Sequence, residues 1–157
     1  MSTLGSNQLQ PKLGDAYLKL QLDLTTVSAL LLDHIQEVLV IPVEQITFMP
    51  NMPDCVLGLI NRRNKVLWLV DFPQMMGLES LERDVRQYHI AIARLENVLL
   101  GLAVKQVRGV IRLTAAEIES PQDDDAPNLK PYLKGRFLEQ GESLMVLDAK
   151  AIINAPI

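Results

Sequence analysis

Two histidines, a single cysteine and a few placed aspartates carry what catalytic or metal-binding chemistry this sequence offers. His34 and His89 each sit at the margin of an apolar run with no second ligand or base beside them, which favours a packed or surface imidazole. Cys55 is alone, so it cannot join a metal cluster of the usual cysteine spacing. A nucleophilic thiol needs a depressed pKa, and the adjacent Asp54 acts in the opposite direction. Residues 123–125 are three consecutive aspartates, without the alternating ligands and turn glycine of a calcium loop. Asp71 and Asp148 could form a carboxylate pair, but each precedes a short helical segment where aspartate is a preferred N-cap. No phosphate loop, nucleophile elbow or H-E-x-x-H pair is present. These patterns predict no enzyme, no cofactor and no metal site.

Composition narrows the remaining classes. The chain has 157 residues, of which 48% are hydrophobic and 22% charged, as in an ordinary folded domain. Fifteen Lys and Arg face nineteen Asp and Glu, a net charge of −4, and Arg62-Arg63 is the only close basic cluster near a plausible turn. Nucleic acid is therefore excluded as a partner. The chain starts with neither basic residues nor a long apolar run, and Val38-Leu39-Val40-Ile41 stops at Pro42, far short of the ~20 residues that span a bilayer. A cytoplasmic protein with no direct membrane insertion is expected.

The elements that must position these residues are mostly strands. Leu18, Leu20, Leu22 and Leu24 alternate with polar residues, the period of a half-buried strand, and Thr25-Thr26 leads into a second apolar run, so a hairpin is predicted. Segments 35–41, 66–70, 89–93, 98–104, 107–113, 136–138 and 143–147 are short and rich in branched residues. Asn64, Asn97, Gly101, Gly109 and Gln140-Gly141 read as breaks or turns. Three short helices are predicted, over 54–60, 72–76 and 149–154. Residues 1–14 read as a tail, and 120–131 as a loop.

An internal repeat organises the chain. Gly58 and Asp71 stand 13 positions apart, as do Gly135 and Asp148, and Leu69-Val70-Asp71 parallels Val146-Leu147-Asp148 at an offset of 77. Earlier in each half the offset is 72: Leu18 and Leu20 align with Ile90 and Ile92, Val38-Leu39 with Val110-Ile111, and Ile46 with Ile118. An insertion of five residues in the acidic loop accounts for the difference, because loop length is tolerated cheaply. The pattern predicts one domain over 15–157 made of two barrel subdomains. The first repeat covers about 16–77 and the second about 88–154. Each copy is expected to roll into its own small barrel, although exchange of strands between barrels is compatible with the repeat. A repeated scaffold without a repeated His, Cys or Ser suits the presentation of surfaces.

From Pro50-Asn51-Met52-Pro53 through Gly58-Leu59-Ile60-Asn61-Arg62-Arg63-Asn64-Lys65-Val66 to Val70-Asp71-Phe72, the sequence resembles the CheW family of chemotaxis adaptors. Ile35-Gln36-Glu37-Val38 is similar to the family's V-x-E-V, and Gly101-Leu102-Ala103-Val104 with Val107 to its second-barrel G-L-x-V-D-x-V. The resemblance implies an all-β fold of two small SH3-like barrels packed together with short helices. It also implies a non-catalytic role, bridging methyl-accepting chemoreceptor tips to the regulatory domain of a CheA-type histidine kinase. By motif position and surface character, the partner-binding candidates are Ile35, Glu37, Val38, Leu57, Arg62, Arg63, Trp68 and Lys105. The sequence departs from the family pattern at Asn64 for a turn glycine, Arg62 for an apolar residue, Trp68 for a proline and Lys105 for an aspartate. Asparagine tolerates the left-handed turn conformation, whereas the other three changes suggest a pathway with its own receptor and kinase, such as pilus-driven twitching or phototaxis. The alternative is a stand-alone module of the same fold that binds a response regulator or sequesters one signalling partner. Both arginines are expected mostly in solvent, and the changed Arg62-Arg63, Trp68 and Lys105 positions are expected to form one surface.

Overall fold

The computed structural model describes residues 14–122 and 127–155, so the expectations for the first thirteen residues and for the triple aspartate lie outside the described residues. Ten strands make up most of it. The first half contains β1 (Asp15–Gln21), β2 (Val27–Leu31), β3 (Ile35–Pro42), β4 (Val56–Arg62) and β5 (Lys65–Asp71), closed by the helix α1 (Phe72–Met75). The second half repeats the series with β6 (Gln87–Leu95), β7 (Val98–Val104), β8 (Gln106–Leu113), β9 (Leu133–Glu139) and β10 (Glu142–Leu147), closed by α2 (Ala149–Ile153). No helix of the described residues is long and apolar enough to cross a membrane.

The strands form two five-stranded sheets, ordered β8-β1-β2-β10-β9 and β3-β6-β7-β5-β4. Replacing every strand by its counterpart five places along turns one order into the other. Each curled sheet thus takes two strands from one half and three from the other, which corrects the expectation that each copy builds its own barrel. The reason lies in edge pairing. The β1-β2 hairpin is bordered by β8 on one side and β10 on the other, so β3 finds no free edge there and pairs with β6 instead. The cross-half parallel pairs match in register, Val146 opposite Ala29 and Leu69 opposite Gly101.

Each barrel closes where a short isolated bridge meets a glycine. Thr47 and Leu59 exchange backbone hydrogen bonds of 2.8 and 2.9 Å, and Glu119 and Arg136 exchange two of 2.8 Å. The chain crosses so tightly that a Cβ on Gly58 would lie 2.4 Å from the Thr47 carbonyl oxygen, and one on Gly135 would lie 2.2 Å from that of Glu119. Both glycines sit beside a register shift in their hairpins. Only a residue without a side chain fits such an approach.

Two readings of local pattern are overturned. Segment 54–60 does not become a helix: from Val56 onward it is β4, because pairing with β5 from Val70 to Lys65 overrides the start signal of Pro53. Gly101 is no break but an interior residue of β7, where a Cβ would stand 3.0 Å from Leu69 Cδ1. The alignment of Leu18 and Leu20 with Ile90 and Ile92 is also one residue out of step. Leu18 pairs with Val110, and it is Ala91 that pairs with the equivalent Val38. A slip of one exchanges the faces of a strand. Accordingly Tyr17 and Ile90 are the true counterparts, each inside its own barrel, while Leu18, Leu20, Ala91 and Ala93 share the cluster between the sheets.

That central cluster draws Leu18, Leu20 and Leu30 from one sheet and Val70, Ala91, Ala93 and Leu102 from the other, with Leu22 just past β1 and Phe72, Met76 and Ile152 of the helical segments. Full burial of each large side chain stabilises the fold by about 2 kcal/mol. Met76 is fully buried, in line with a core role for the Met75-Met76 pair. Gly58→Val and Gly135→Val are each expected to lower unfolding free energy by at least ~2 kcal/mol, the upper part of the overpacking range. Urea melts of both variants check this; wild-type midpoints in both would show that the close approaches tolerate a side chain.

Candidate partner-binding site

The side chain of Glu37 leaves β3 at the seam where the two edge strands of its barrel, β3 and β4, face each other. Arg62, the last residue of β4, grips it from across the seam: Nε donates to both carboxylate oxygens at 3.0 Å, and Nη2 donates to Oε2. Arg63 Nη2 stands 3.7 Å from the same oxygen. The hydrogen bonds from Arg62, reinforced by the two positive charges, hold the Glu37 carboxyl below the usual carboxylate range. The pair is therefore ionised at neutral pH. Arg63 and Asn64 occupy the tight turn with φ of 53° and 66°, the left-handed conformation expected for asparagine in the place of a turn glycine.

The two arginines differ in a way their adjacency does not reveal. Arg63 is 72% exposed, but Arg62 is half-buried against Glu37, whose own side chain is only 18% exposed. The expectation that both guanidinium groups stand mostly in solvent is thus corrected for Arg62, because the last residue of a strand projects toward the barrel seam and the next one projects from the turn. The equivalent position in the other barrel, Glu139, also forms an ion pair, with Lys19 Nζ at 3.2 Å, and Arg108 Nη1 meets Glu142 Oε2 at 3.1 Å nearby. Each seam is fastened by charge at one end and by a backbone bridge at the other.

The remaining candidates separate into different places. Val38 projects outward from β3 and is 46% exposed, while Ile35, two pairs away, packs on the central cluster. Leu57 lines a groove of about 460 Å³ with Phe48, Met49, Met52 and Val56. Trp68 packs against the central cluster and walls a smaller apolar groove of about 240 Å³ between β5, β7 and the end of α2, together with Met52, Val98, Leu100 and Ile153. Lys105 is exposed between β7 and β8 and borders a third groove, of about 440 Å³, with Asp23, Glu79, Glu82 and His89. Arg62-Arg63, Trp68 and Lys105 are therefore not one surface, because Trp68 and Lys105 line different grooves and the two arginines line neither. Met49 and Met52 are half-buried in groove walls.

Among the described residues, no catalytic constellation forms around the histidines or the cysteine. His34 Nδ1 lies 3.2 Å from the Arg94 carbonyl oxygen, and His89 is exposed. Burial pushes the Cys55 thiol up, with Asp71 and Asp54 adding to the effect, the reverse of nucleophile activation. No group of three or more His, Cys, Asp or Glu among the described residues is placed to hold a metal ion.

Asp71 and Asp148 each cap a helix, accepting from Gln74 N and Lys150 N at 3.0 Å. Asp71 does more. Completely buried, it also accepts from Leu81 N at 2.8 Å and from Arg83 Nη1 at 2.6 Å, tying the connector between the two halves down onto the β3-β6-β7-β5-β4 barrel. Nothing in the sequence marks Arg83 for this role, since it stands in a polar stretch without periodicity. Because asparagine caps helices as well as aspartate does, Asp148→Asn should change stability by less than ~0.5 kcal/mol. Asp71→Asn should cost ~2 kcal/mol, the size of a hydrogen bond to a charged group. Equal melts for the two variants would mean that Arg83 adds nothing to capping.

This arrangement has relatives. The model of the CheW-like domain matches residues 19–156. Chemotaxis protein CheW of Rhizobium meliloti (strain 1021) is 27% identical over 106 residues, covering 68% of each protein. Chemotaxis protein CheW of Thermotoga maritima is 29% identical over 115 residues, 73% of this chain and 74% of that protein. Among solved structures, the scaffolding protein TtCheW from Thermoanaerobacter tengcongensis superposes with a TM-score of 0.74 at 20% identity, covering 86% of this chain and 89% of that one. The fold is thus all-β, two small SH3-like barrels with two short helices. Since the family match runs through both barrels, with their shared seam and helix caps, this chain belongs to the CheW-like domain family.

Proposed function

We propose that this chain is a non-catalytic chemotaxis adaptor that couples methyl-accepting chemoreceptors to the regulatory domain of a CheA-type histidine kinase in the cytoplasm. The observation that carries the reading is the fusion of two distinct surfaces on one body: a charged barrel end at Glu37, Arg62 and Arg63, and an apolar groove at Trp68 between β5, β7 and the end of α2. The relatives named above as chemotaxis and scaffolding proteins support it.

In this reading the groove at Trp68 receives the helical hairpin of a receptor tip, whose apolar face suits a shallow apolar wall. The barrel end packs against a barrel of the kinase regulatory domain, with Val38 as an apolar contact and Arg63 as the exposed donor for a partner carboxylate. The exposed lysine at 105 and the arginine at 62 fit a receptor and kinase particular to this pathway, of the pilus-driven or phototactic kind.

Titration calorimetry against a receptor-tip hairpin, the kinase regulatory domain and the response regulators of the same pathway tests the assignment. Arg63→Ala is expected to weaken kinase binding by roughly 1–3 kcal/mol, as for a hydrogen bond to a charged group, with a far smaller change in unfolding free energy because an exposed charge contributes little to folding. Binding of a response regulator alone, with no affinity for receptor or kinase, would replace the adaptor by a sequestering module.

A further inference from the structure

The two halves of the chain treat equivalent positions differently beside their closing helices. The matching parallel registers make Trp68 the counterpart of Met145 and Leu99 that of Val27. The matching bonds from Asp71 N to the Cys55 carbonyl and from Asp148 N to the Tyr132 carbonyl make Met52 the counterpart of Leu129. Met145, Val27 and Leu129 are 4%, 0% and 6% exposed, whereas Trp68, Leu99 and Met52 are half-buried and Val98 beside them is 52% exposed. The chain leaving α1 accounts for the first set. Gly77, with φ of 82°, turns it against Asn128, where a Cβ would lie 2.5 Å from Nδ2, and Leu78 then packs on the central cluster that holds Leu129 and Met145. At the same offset of 77, α2 is followed by Asn154 with φ of −89° and by Ala155, so no left-handed turn is made and only a methyl side chain reaches the groove.

We propose that the groove at Trp68 is a seat for one leucine-sized aliphatic side chain of the receptor-tip hairpin, which takes the place that Leu78 fills in the other half. The inference rests on the reading that the hairpin docks here, and it names what the hairpin inserts. The groove is continuous with the apolar interface between the two sheets, since Leu100 and Ile153 belong to the central cluster and Trp68 packs on it. Its volume of about 240 Å³ admits a side chain but not a whole helix, which is about 10 Å across. No charged residue lines it, so a lysine or glutamate placed there would be left without a partner, while an aliphatic group gains from burial. A side chain that fills such a pocket carries a large share of the binding energy, and the contacts around it carry little.

Trp68 is the only tryptophan of the chain, so its fluorescence reports on the groove. Ala155→Leu, with melts to confirm folding, supplies the missing side chain from within. It is expected to move Trp68 emission to shorter wavelength and to weaken binding of a tryptophan-free receptor-tip hairpin about tenfold or more, with kinase binding within about threefold of wild type. Val98→Lys, at the exposed rim, should weaken the hairpin as well. In the wild-type chain the hairpin itself should shift the emission in the same direction, and alanine substitution along its apolar face should concentrate the loss of affinity at one position. Losses spread evenly over that face overturn the single seat. Emission that neither Ala155→Leu nor the bound hairpin moves overturns it too, since the groove then takes no side chain or is already covered in the free chain. If Ala155→Leu shifts the emission but the hairpin fails to bind, or binds without shifting it, the receptor reading of this groove falls and the aliphatic seat stands.

Discussion

The parallel pairings of β2 with β10 and of β5 with β7 are the contacts on which the rest of this molecule depends. Each joins strands from opposite halves of the chain, and each supplies one edge of a hairpin that would otherwise expose unpaired backbone. Separating the halves would strip both sheets at once. The central apolar cluster follows from the same exchange, since strands that cross between sheets bring Leu18, Leu20, Ala91 and Ala93 to one shared interface. A pair of barrels built this way has no flexible linker between them. Whatever surfaces it carries are held at a fixed distance and angle.

Charge does a different task from apolar burial in this fold. The curled sheets leave seams between their edge strands, and at those seams the chain places Glu37 with Arg62 and Lys19 with Glu139. Asp71 with Arg83 fastens the connector in a comparable way, from a buried position where an unpaired carboxylate would be costly. Ion pairs at such positions close a gap that hydrogen-bonded ladders do not reach. They also help set the sign of the surface that results.

Much of this was legible in the residues. The paired spacing of Gly58 to Asp71 and Gly135 to Asp148 marked two sites where the backbone crosses closely and a helix is capped, and both functions hold because they depend on local geometry. The strand positions were readable for the same reason, through short runs of branched residues. Strand exchange was not settled by the repeat, because a repeat states which segments are alike and not which of two like edges they pair with. The one-residue slip between Leu18 and Ala91 escaped notice because leucine and isoleucine look alike on either face of a strand. At the site, motif position named Glu37 and Arg63 separately, and only the fold brings them within 3.7 Å. The burial of Arg62 was invisible, since two adjacent arginines carry no sign of which one turns inward. Arg83 and the separation of Trp68 from Lys105 depend on contacts far apart in sequence, and no local pattern encodes them.

A rigid two-barrel body gives the adaptor reading its physical content, because bridging requires that two partners occupy separate faces at the same time. The decisive measurement is sedimentation of a mixture of this chain, a receptor-tip hairpin and the kinase regulatory domain, with calorimetric titration of the kinase into chain already saturated with receptor. The account predicts a ternary species and a kinase affinity within about threefold of that measured without receptor, as expected for separated sites. Displacement of one partner by the other would contradict it, placing both on a single surface and leaving the chain unable to couple them.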